Sequence, residues 1–281
     1  MGGAIISTFK TYTGIMDVVF SEQELADFYD GELELDVLTN QYVIVRNSEK
    51  IIVDKLRWDG DGYKRIKYPS INGFKSKGFK QDCLMDLLLN HEIPIKLVCG
   101  CAGSGKTLCA IAAGMDFLKK GKFNRIFVVR QEVPVGEKIG FLPGNKTEKI
   151  LNWLGFFKDN LFISNSQFTL EEMIDNGTIE VDSVSFLKGR SIANSFVIID
   201  EAEDLTESQL KMIGERVSEN SIICFVGDIN QVTQMKYAKD SGLKRAIDNL
   251  KGNPLVGVVV FDDNDGDNCR SDASRVFTSI Y

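Results

Sequence analysis

The second part of the chain, from residue 79 onward, contains compact apolar runs separated by longer segments with helical patterns. The runs are rich in Val, Ile and Phe, and they are Ile95–Cys99, Arg125–Val129, Ser195–Ile199, Ser221–Val226 and Leu255–Val260. Near-continuous β-branched runs that alternate with helices are typical of a parallel sheet covered on both faces. The pattern therefore predicts a three-layer α/β domain over residues 79–281, roughly 200 residues long and within the usual size range of domains.

The first part of the chain, residues 1–78, has shorter apolar and aromatic runs that alternate with Gly, Asp and Asn. The clearest of these runs are Tyr42–Arg46, Lys50–Asp54 and Gly62–Tyr68. Short β-prone runs split by polar turns predict hairpins in a small sheet or barrel. Ser21 and Glu24 form a Ser-x-x-Glu pattern, which predicts a short helix over residues 21–29. We therefore expect a small β-rich N-terminal domain that ends in a linker.

The net charge of the chain restricts how the protein could bind nucleic acid. The chain has 281 residues with 33 Lys and Arg against 40 Asp and Glu, a formal net charge of −7. This balance argues against coating nucleic acid through bulk charge, although a local basic patch or pore could still bind it. The six cysteines lack zinc-site or redox-pair spacing, which favours reduced thiols. Without a signal-peptide pattern or an apolar run of about 20 residues, we expect a soluble cytoplasmic protein that spans no membrane.

The single histidine, His91, restricts the catalytic chemistry that the chain can perform. One histidine excludes mechanisms that need two, and a Ser-His-Asp arrangement would have to use this residue. His91 lies between Asn90 and Glu92 at the end of an apparent helix. A solvated histidine at a helix terminus and a catalytic histidine both remain open interpretations.

A phosphate-binding loop is the strongest chemical signal in the sequence. Residues 100–107 read Gly-Cys-Ala-Gly-Ser-Gly-Lys-Thr and fit the G-x-x-x-x-G-K-[ST] pattern at every fixed position. The pattern follows a predicted strand and precedes a helical run, so backbone N–H groups and the helix dipole can face phosphate. Lys106 is expected to bridge the terminal phosphates of ATP, and Thr107 to hold Mg²⁺. The predicted nucleotide-binding residues are Gly100, Cys101, Ala102, Gly103, Ser104, Gly105, Lys106, Thr107, Leu108 and Gln81.

A pair of acidic residues follows a second buried strand. The run Phe196–Ile199 ends in Asp200 and Glu201. In a nucleoside triphosphatase the first carboxylate acts on Mg²⁺ through water, and the second polarises the attacking water as a general base. An acidic helix start is the alternative interpretation, because further acidic residues follow at positions 203, 204 and 207.

A third polar segment, Gly227–Gln231, lies at the end of another predicted strand. A glutamine beside the phosphate loop can hydrogen-bond both the γ-phosphate and the lytic water, so Gln231 is a candidate sensor of hydrolysis. The alternative is a polar turn in which Asp228 caps a helix.

These three segments, in this order, resemble superfamily 1 helicases, and residues 130–144 narrow the resemblance. That segment reads Arg-Gln-Glu-Val-Pro-Val-Gly-Glu-Lys-Ile-Gly-Phe-Leu-Pro-Gly and is similar to the "RPxVxxGExLGFLPG" element of the PhoH family of ATPases. The resemblance covers about residues 81–273 and implies a RecA-like P-loop NTPase fold that hydrolyses ATP with Mg²⁺. The sequence departs from the family pattern at three places. Gln131 replaces a proline, Glu203 replaces the glutamine of the family's "DEAQN", and residues 215–218 keep only the arginine of "TRxG".

Two arginines are candidates for an arginine finger at the γ-phosphate. Residues 268–271 resemble the helicase "RS" element, which makes Arg270 the first choice, and Arg216 in the family's "TRxG" position is the second. A surface or interface salt bridge is the alternative for either residue.

The N-terminal part resembles, more weakly, the connector between the nuclease and ATPase halves of PIN-PhoH fusion proteins. The matching segments are Asn40–Val43, Arg57–Gly60 and Lys67–Pro69. No room remains ahead of them for a PIN domain, so nuclease activity is not expected.

A single ATPase core lacks the second lobe that helicases use, which leads us to expect a homo-oligomeric ring, hexameric by resemblance. The expected partner is single-stranded RNA or DNA, with Phe141 and Trp153 available for stacking. The candidate nucleic-acid residues are Arg130, Lys138, Lys146, Lys149, Lys188 and Arg190. Solvated surface is the alternative for each lysine, and a nucleotide-dependent switch or assembly module is the alternative for the whole protein.

Overall fold

The N-terminal part forms a four-stranded mixed sheet with one helix. The computed structural model describes residues 12–67, 71, 75–101, 103–130, 170–187, 189–229 and 241–261. The small sheet contains β1 (Ile15–Val19), β2 (Tyr42–Arg46), β3 (Ile52–Trp58) and β4 (Tyr63–Arg65), with helix α1 (Glu22–Asp30) between the first two strands. β1 pairs parallel to β2, whereas β2, β3 and β4 form an antiparallel meander.

The predicted capping box of α1 is present. The Ser21 hydroxyl accepts a hydrogen bond from the Glu24 backbone N–H, and the Glu24 carboxylate accepts one from the Ser21 N–H. This pair satisfies two N–H groups that the first helical turn leaves without a partner. The short helix and the hairpin strands are therefore confirmed, whereas β1 was missed because Asp17 interrupts its apolar run.

The larger sheet has six parallel strands and carries the chemistry. Its strands are β5 (Ile95–Cys99), β6 (Arg125–Arg130), β7 (Ile179–Ser183), β8 (Ser195–Asp200), β9 (Ile222–Gly227) and β10 (Val256–Val260). They lie side by side in the order β10-β5-β9-β8-β6-β7. The five predicted strands agree with the structure within one residue at each end. β7 was missed because Glu180 and Asp182 alternate with its apolar residues at this edge of the sheet.

Helices cover both faces of the larger sheet, as the three-layer prediction requires. They are α2 (Phe79–Leu89), α3 (Lys106–Lys119), α4 (Leu170–Asp175), α5 (Glu207–Gly214) and α6 (Gly242–Leu250). Successive residues of β5 point to opposite faces: Val98 joins a core cluster with α2 and α3, and Leu97 joins one with α5 and α6. The RecA-like P-loop arrangement is confirmed. Along the described stretches, no helix has both the length and the apolar character that crossing a membrane demands.

The small sheet packs against α2 and shares its core. Tyr42 and Ile44 belong to the same buried cluster as Leu84 and Leu88 of α2. The Lys55 ammonium of β3 also forms a salt bridge of 2.5 Å with the Asp82 carboxylate. Contacts therefore cross the boundary at residue 78, and the division into two domains there stays a prediction.

Candidate nucleotide site

The phosphate loop connects the end of β5 to the start of α3. Gly100, Gly103 and Gly105 have φ angles of 150°, 86° and 84°, conformations that favour glycine. A Cβ on Gly100 would also lie 2.5 Å from the Cβ of Phe261, which leaves no space for a side chain. The glycines of the motif are thus also required by the backbone conformation and the close packing of the loop. Ala102 lies outside the described residues.

Lys106 is the first residue of α3, and its side chain folds back over the loop. Its Nζ donates hydrogen bonds to the carbonyl oxygens of Gly100 and Cys101, at 2.5 Å and 2.8 Å, and contacts the Ser104 hydroxyl at 3.2 Å. Burial lowers the pKa of the Lys106 ammonium, and the nearby Asp228 carboxylate opposes that shift. The charge of Lys106 is therefore held against the loop backbone, where phosphate oxygens are expected to bind.

The start of α3 offers backbone donors to an anion. Within the described part of the chain, no side chain caps this helix start, where Gly105 occupies the N-cap position. The first-turn N–H groups of a helix lack intrahelical partners and carry the positive end of the helix dipole. The N-terminus of this 14-residue helix, which begins in the glycine-rich loop, can therefore bind a phosphate group.

Gln81 and Leu108, the other predicted nucleotide residues, lie beside the loop. Gln81 is buried on the first turn of α2, and its amide Nε2 donates a hydrogen bond to the Ser104 carbonyl oxygen at 3.0 Å. Its Oε1 accepts a hydrogen bond from the Lys77 N–H at 2.9 Å. Leu108 is half-buried in the first turn of α3. Gln81 thus connects α2 to the loop.

Asp200 and Thr107 meet across the sheet, although 93 positions separate them in the chain. The Thr107 Oγ1 donates a hydrogen bond of 3.0 Å to Asp200 Oδ1 at the end of β8. Burial raises the pKa of the Asp200 carboxyl, and the Glu201 carboxylate adds to the rise. A hydroxyl and a carboxylate at the mouth of a phosphate loop are oxygen ligands of the kind that Mg²⁺ prefers. These two side chains therefore fit the predicted metal site.

Glu201 leaves the sheet in a left-handed backbone conformation and forms an ion pair. Its φ and ψ angles are 54° and 42°, an uncommon conformation for a residue other than Gly, Asn or Asp. One Glu201 oxygen, Oε1, lies 2.6 Å from Arg130 Nη2, and both side chains are about half exposed. The two residues stand at the carboxyl ends of neighbouring strands, because Arg130 pairs in register with Asp200.

Glu203 and Asp228 are buried beside the site, and sequence reasoning gave neither a catalytic role. Glu203 is 3% exposed, and within the described residues its Oε2 has no hydrogen-bond partner. Burial raises the pKa of this carboxyl. A Cβ added to Gly227 would collide with Glu203 Oε2, so the carboxyl group is packed directly on the end of β9. The substitution of glutamine by glutamate at this position was the available sequence signal.

Two other candidate residues, Arg190 and Arg216, lie apart from the nucleotide site. Arg190 donates to Glu180 and Asp182 of β7, at 2.9 Å and 3.3 Å, and lies over the Phe127 ring. The Arg216 carbonyl oxygen accepts a hydrogen bond from the Ile192 N–H, ahead of β8, whereas Asp200 ends that strand. A six-residue strand spans roughly 20 Å, so Arg216 lies far from the phosphate loop of the same chain.

Several predicted site residues lie outside the described residues. They are Gln231, Arg270, Lys138, Lys146, Lys149 and Lys188. Their roles stay predictions.

Comparisons with known proteins find similar chains. "Protein PhoH2" of Bacillus subtilis is 33% identical over 277 residues, which cover 91% of this chain and 62% of that protein. The "PhoH-like protein" of Synechocystis is 33% identical over 177 residues, covering 63% of this chain and 53% of that protein. Among solved structures, the Sulfolobus solfataricus SWI2/SNF2 ATPase core in complex with dsDNA matches with a TM-score of 0.41 and 16% identity, covering 68% of this chain and 40% of that one.

The chain thus spans less than two thirds of the length of these two curated relatives. The family profile described as "PhoH-like protein" matches residues 74–281, which include the phosphate loop and both acidic residues. The chain therefore belongs to the PhoH-like protein family, and its larger sheet carries that family's P-loop nucleotide-binding fold.

Proposed function

We propose that this protein binds ATP together with Mg²⁺ and hydrolyses it. The observation that carries the proposal is the hydrogen bond between Thr107 and Asp200, because it joins the phosphate loop to the acidic strand end. Lys106 holds its ammonium group in the same loop. The bound Mg²⁺ would neutralise charge on the phosphates, and Thr107 and Asp200 are the side chains that would hold it.

Glu201 is the proposed general base. Hydrolysis requires a water oxygen to form a bond with the γ-phosphorus while the bond from that phosphorus to ADP breaks, and the water must lose a proton. The Glu201 carboxylate follows Asp200 directly and is about half exposed, so it can accept that proton from water. Gln231 is proposed to orient the same water and to sense the γ-phosphate.

Single-stranded nucleic acid is the proposed object of the ATPase. Arg130 stands at the carboxyl edge of the sheet and opens the segment that contains Lys138, Lys146 and Lys149. Positive side chains beside an ATPase site can follow a phosphate backbone, and Phe141 and Trp153 can stack on bases. Lys188 and Arg190 extend the proposed set, although Arg190 already pairs with two carboxylates.

A homo-oligomeric ring, hexameric by family resemblance, is the proposed assembly. In such a ring each subunit can supply an arginine to its neighbour's nucleotide. Arg270 remains the first candidate for this finger. The position of Arg216 at the opposite end of β8 supports a role only toward a neighbouring subunit. Mass measurement by light scattering would contradict the ring if a fully active sample were monomeric.

The decisive experiment measures ATP turnover with and without single-stranded RNA and single-stranded DNA at several salt concentrations. We expect stimulation that high salt abolishes, because phosphate contacts release counterions. The Lys106→Ala variant must lose turnover. The Lys119→Ala variant, which changes an exposed lysine in the last turn of the same helix, must keep it. If neither RNA nor DNA changes the rate of ATP turnover, the result would favour the nucleotide-dependent switch over a motor.

A further inference from the structure

The ion pair between Arg130 and Glu201 engages the proposed general base. Arg130 Nη2 and Glu201 Oε1 are 2.6 Å apart, so the guanidinium donates a close charge-assisted hydrogen bond to the carboxylate. Register pairing aligns Arg130 with Asp200, so the arginine lies beside the residue that precedes the base. The pair therefore results from sheet topology and joins the two strand ends that border the site.

The backbone of Glu201 contributes to this arrangement. A left-handed conformation is unfavourable at a residue with a Cβ, and such strain is found most often at functional sites. The turn in the chain after Asp200 lets Glu201 meet the arginine at the end of β6. The Glu201 side chain also hydrogen-bonds the buried Glu203 carboxyl. It therefore has two partners, and it can change orientation when Arg130 exchanges its carboxylate for another anion.

The pair also limits what the Glu201 carboxylate can do. A general base must present an oxygen lone pair to its water within hydrogen-bond distance. In this structure Oε1 receives an N–H from Arg130, which turns the carboxylate toward β6. This bond occupies one of the lone pairs of Oε1 and holds the carboxylate in one orientation, which restricts how the group can approach a water at the γ-phosphate.

A phosphate group is a suitable competitor for the arginine. The guanidinium group binds carboxylates and phosphates with the same planar fork of donors. The side chains of Arg130 and Glu201 are 43% and 40% exposed, so an incoming strand can reach the pair from solvent. An exposed ion pair of this kind contributes little to stability, so a new phosphate contact can replace it.

We propose that Arg130 is a positioning residue that holds the Glu201 carboxylate away from the reaction until a nucleic-acid phosphate takes its guanidinium group. The proposal rests on the proposed function, in which Glu201 is the general base. Basal hydrolysis is then slowed by this ion pair, and nucleic acid accelerates hydrolysis by replacing Glu201 as a partner of Arg130.

The test compares basal ATP turnover of Arg130→Gln with that of the native chain in the absence of nucleic acid. We expect kcat to rise about three- to tenfold, a fraction of the ~100-fold or greater effect of a general base, with little change in KM for ATP. Arg130→Lys should give a smaller rise, because it keeps the charge without the planar fork. Stimulation by single-stranded RNA should shrink in Arg130→Gln, because the restraint is already absent.

The chain offers a matched control. Arg245 pairs with Glu207 at 2.7 Å between α6 and α5, and both side chains are exposed. Arg245→Gln therefore removes a similar ion pair that involves neither Glu201 nor a residue of the phosphate loop, and it should leave basal kcat unchanged. An unchanged or lower kcat in folded Arg130→Gln and Arg130→Lys would overturn the proposal, as would an equal rise in Arg245→Gln.

A further variant separates this proposal from the proposed function. Glu201→Gln should be inactive, and Arg130→Gln should not restore activity to it. If Glu201→Gln keeps its turnover, the general-base assignment itself is wrong. If Glu201→Gln is inactive and Arg130→Gln shows no rise, only the restraint by Arg130 is wrong.

Discussion

The amide of Gln81 donates a hydrogen bond of 3.0 Å to the carbonyl oxygen of Ser104, so the helix ahead of β5 supports the phosphate loop directly. Both residues are buried. The Gln81 amide also lies 3.1 Å from the position that a Cβ on Gly105 would occupy. The conformation of the loop therefore depends on where α2 begins.

The first prediction concerns this contact. Gln81→Ala leaves the buried Ser104 carbonyl without its donor, a loss of about 1–3 kcal/mol. Because the loop loses support, we expect KM for ATP to rise about tenfold or more, with a smaller effect on kcat. Steady-state kinetics check this expectation, and Gln23→Ala on the exposed face of α1 is the matched control. An unaltered KM would show that the loop keeps its conformation without Gln81.

The second prediction concerns the proposed metal ligands. Asp200→Asn keeps the shape of the side chain but removes the charge that Mg²⁺ prefers. We expect turnover to fall about 100-fold or more and the Mg²⁺ concentration for half-maximal activity to rise. The control is Asp116→Asn, which breaks a Lys120 pair on α3. Equal loss in both variants would point to destabilised folding rather than metal binding.

The third prediction concerns Lys96, a fully buried lysine on β5. Its Nζ donates to the carbonyl oxygens of Leu87 and Asn90, at 2.5 Å and 2.7 Å, at the end of α2. Burial lowers the pKa of Lys96 to about 7. Above that pH the folded chain has released a proton that the unfolded chain still holds, so this group makes the free energy of unfolding increase with pH.

Lys96→Met removes this contribution. Between pH 6.5 and 8.5, the difference in free energy of unfolding between the native chain and Lys96→Met should shift by about 2 kcal/mol in favour of the native chain. Denaturant titrations at both pH values measure the difference, and the comparison cancels the effect of other titrating groups. A difference independent of pH would mean that Lys96 stays charged, held by the two carbonyl oxygens.

The fourth prediction concerns the salt bridge between Lys55 of the small sheet and Asp82 of α2. Lys55 and Asp82 are both partly buried, which favours a measurable coupling over that of an exposed pair. A double-mutant cycle with Lys55→Ala and Asp82→Ala should give a coupling energy of about 1 kcal/mol in the free energy of unfolding. Additive effects would show that apolar packing around Tyr42 alone holds the sheet in place.

The sequence was sufficient for the parts of this protein that follow local rules. The strands around Val98 and Ile198 were predicted because full burial leaves a continuous apolar run. The phosphate loop was predicted because glycine geometry and helix polarity require a fixed spacing. The motifs assign both Thr107 and Asp200 to Mg²⁺, and the structure brings the two side chains into contact.

Other features depend on the folded sheet and could not be predicted from local patterns. The pairing of Arg130 with Glu201 follows from the order of β6 and β8 in the sheet. The distance of Arg216 from the loop depends on which end of β8 it meets. The edge strand β7 has partly exposed polar residues, so its sequence lacks the apolar run of a buried strand.

The contact between Gly100 and Phe261 has a consequence for protein synthesis. The phosphate loop precedes most of the larger sheet in the sequence. Phe261, which packs against Gly100 of the loop, follows β10, and β10 pairs directly with β5. The ribosome must therefore add about 160 further residues after Gly100 before Phe261 can pack against the loop. A nascent chain should acquire the capacity to bind nucleotide only when its last described strand has emerged.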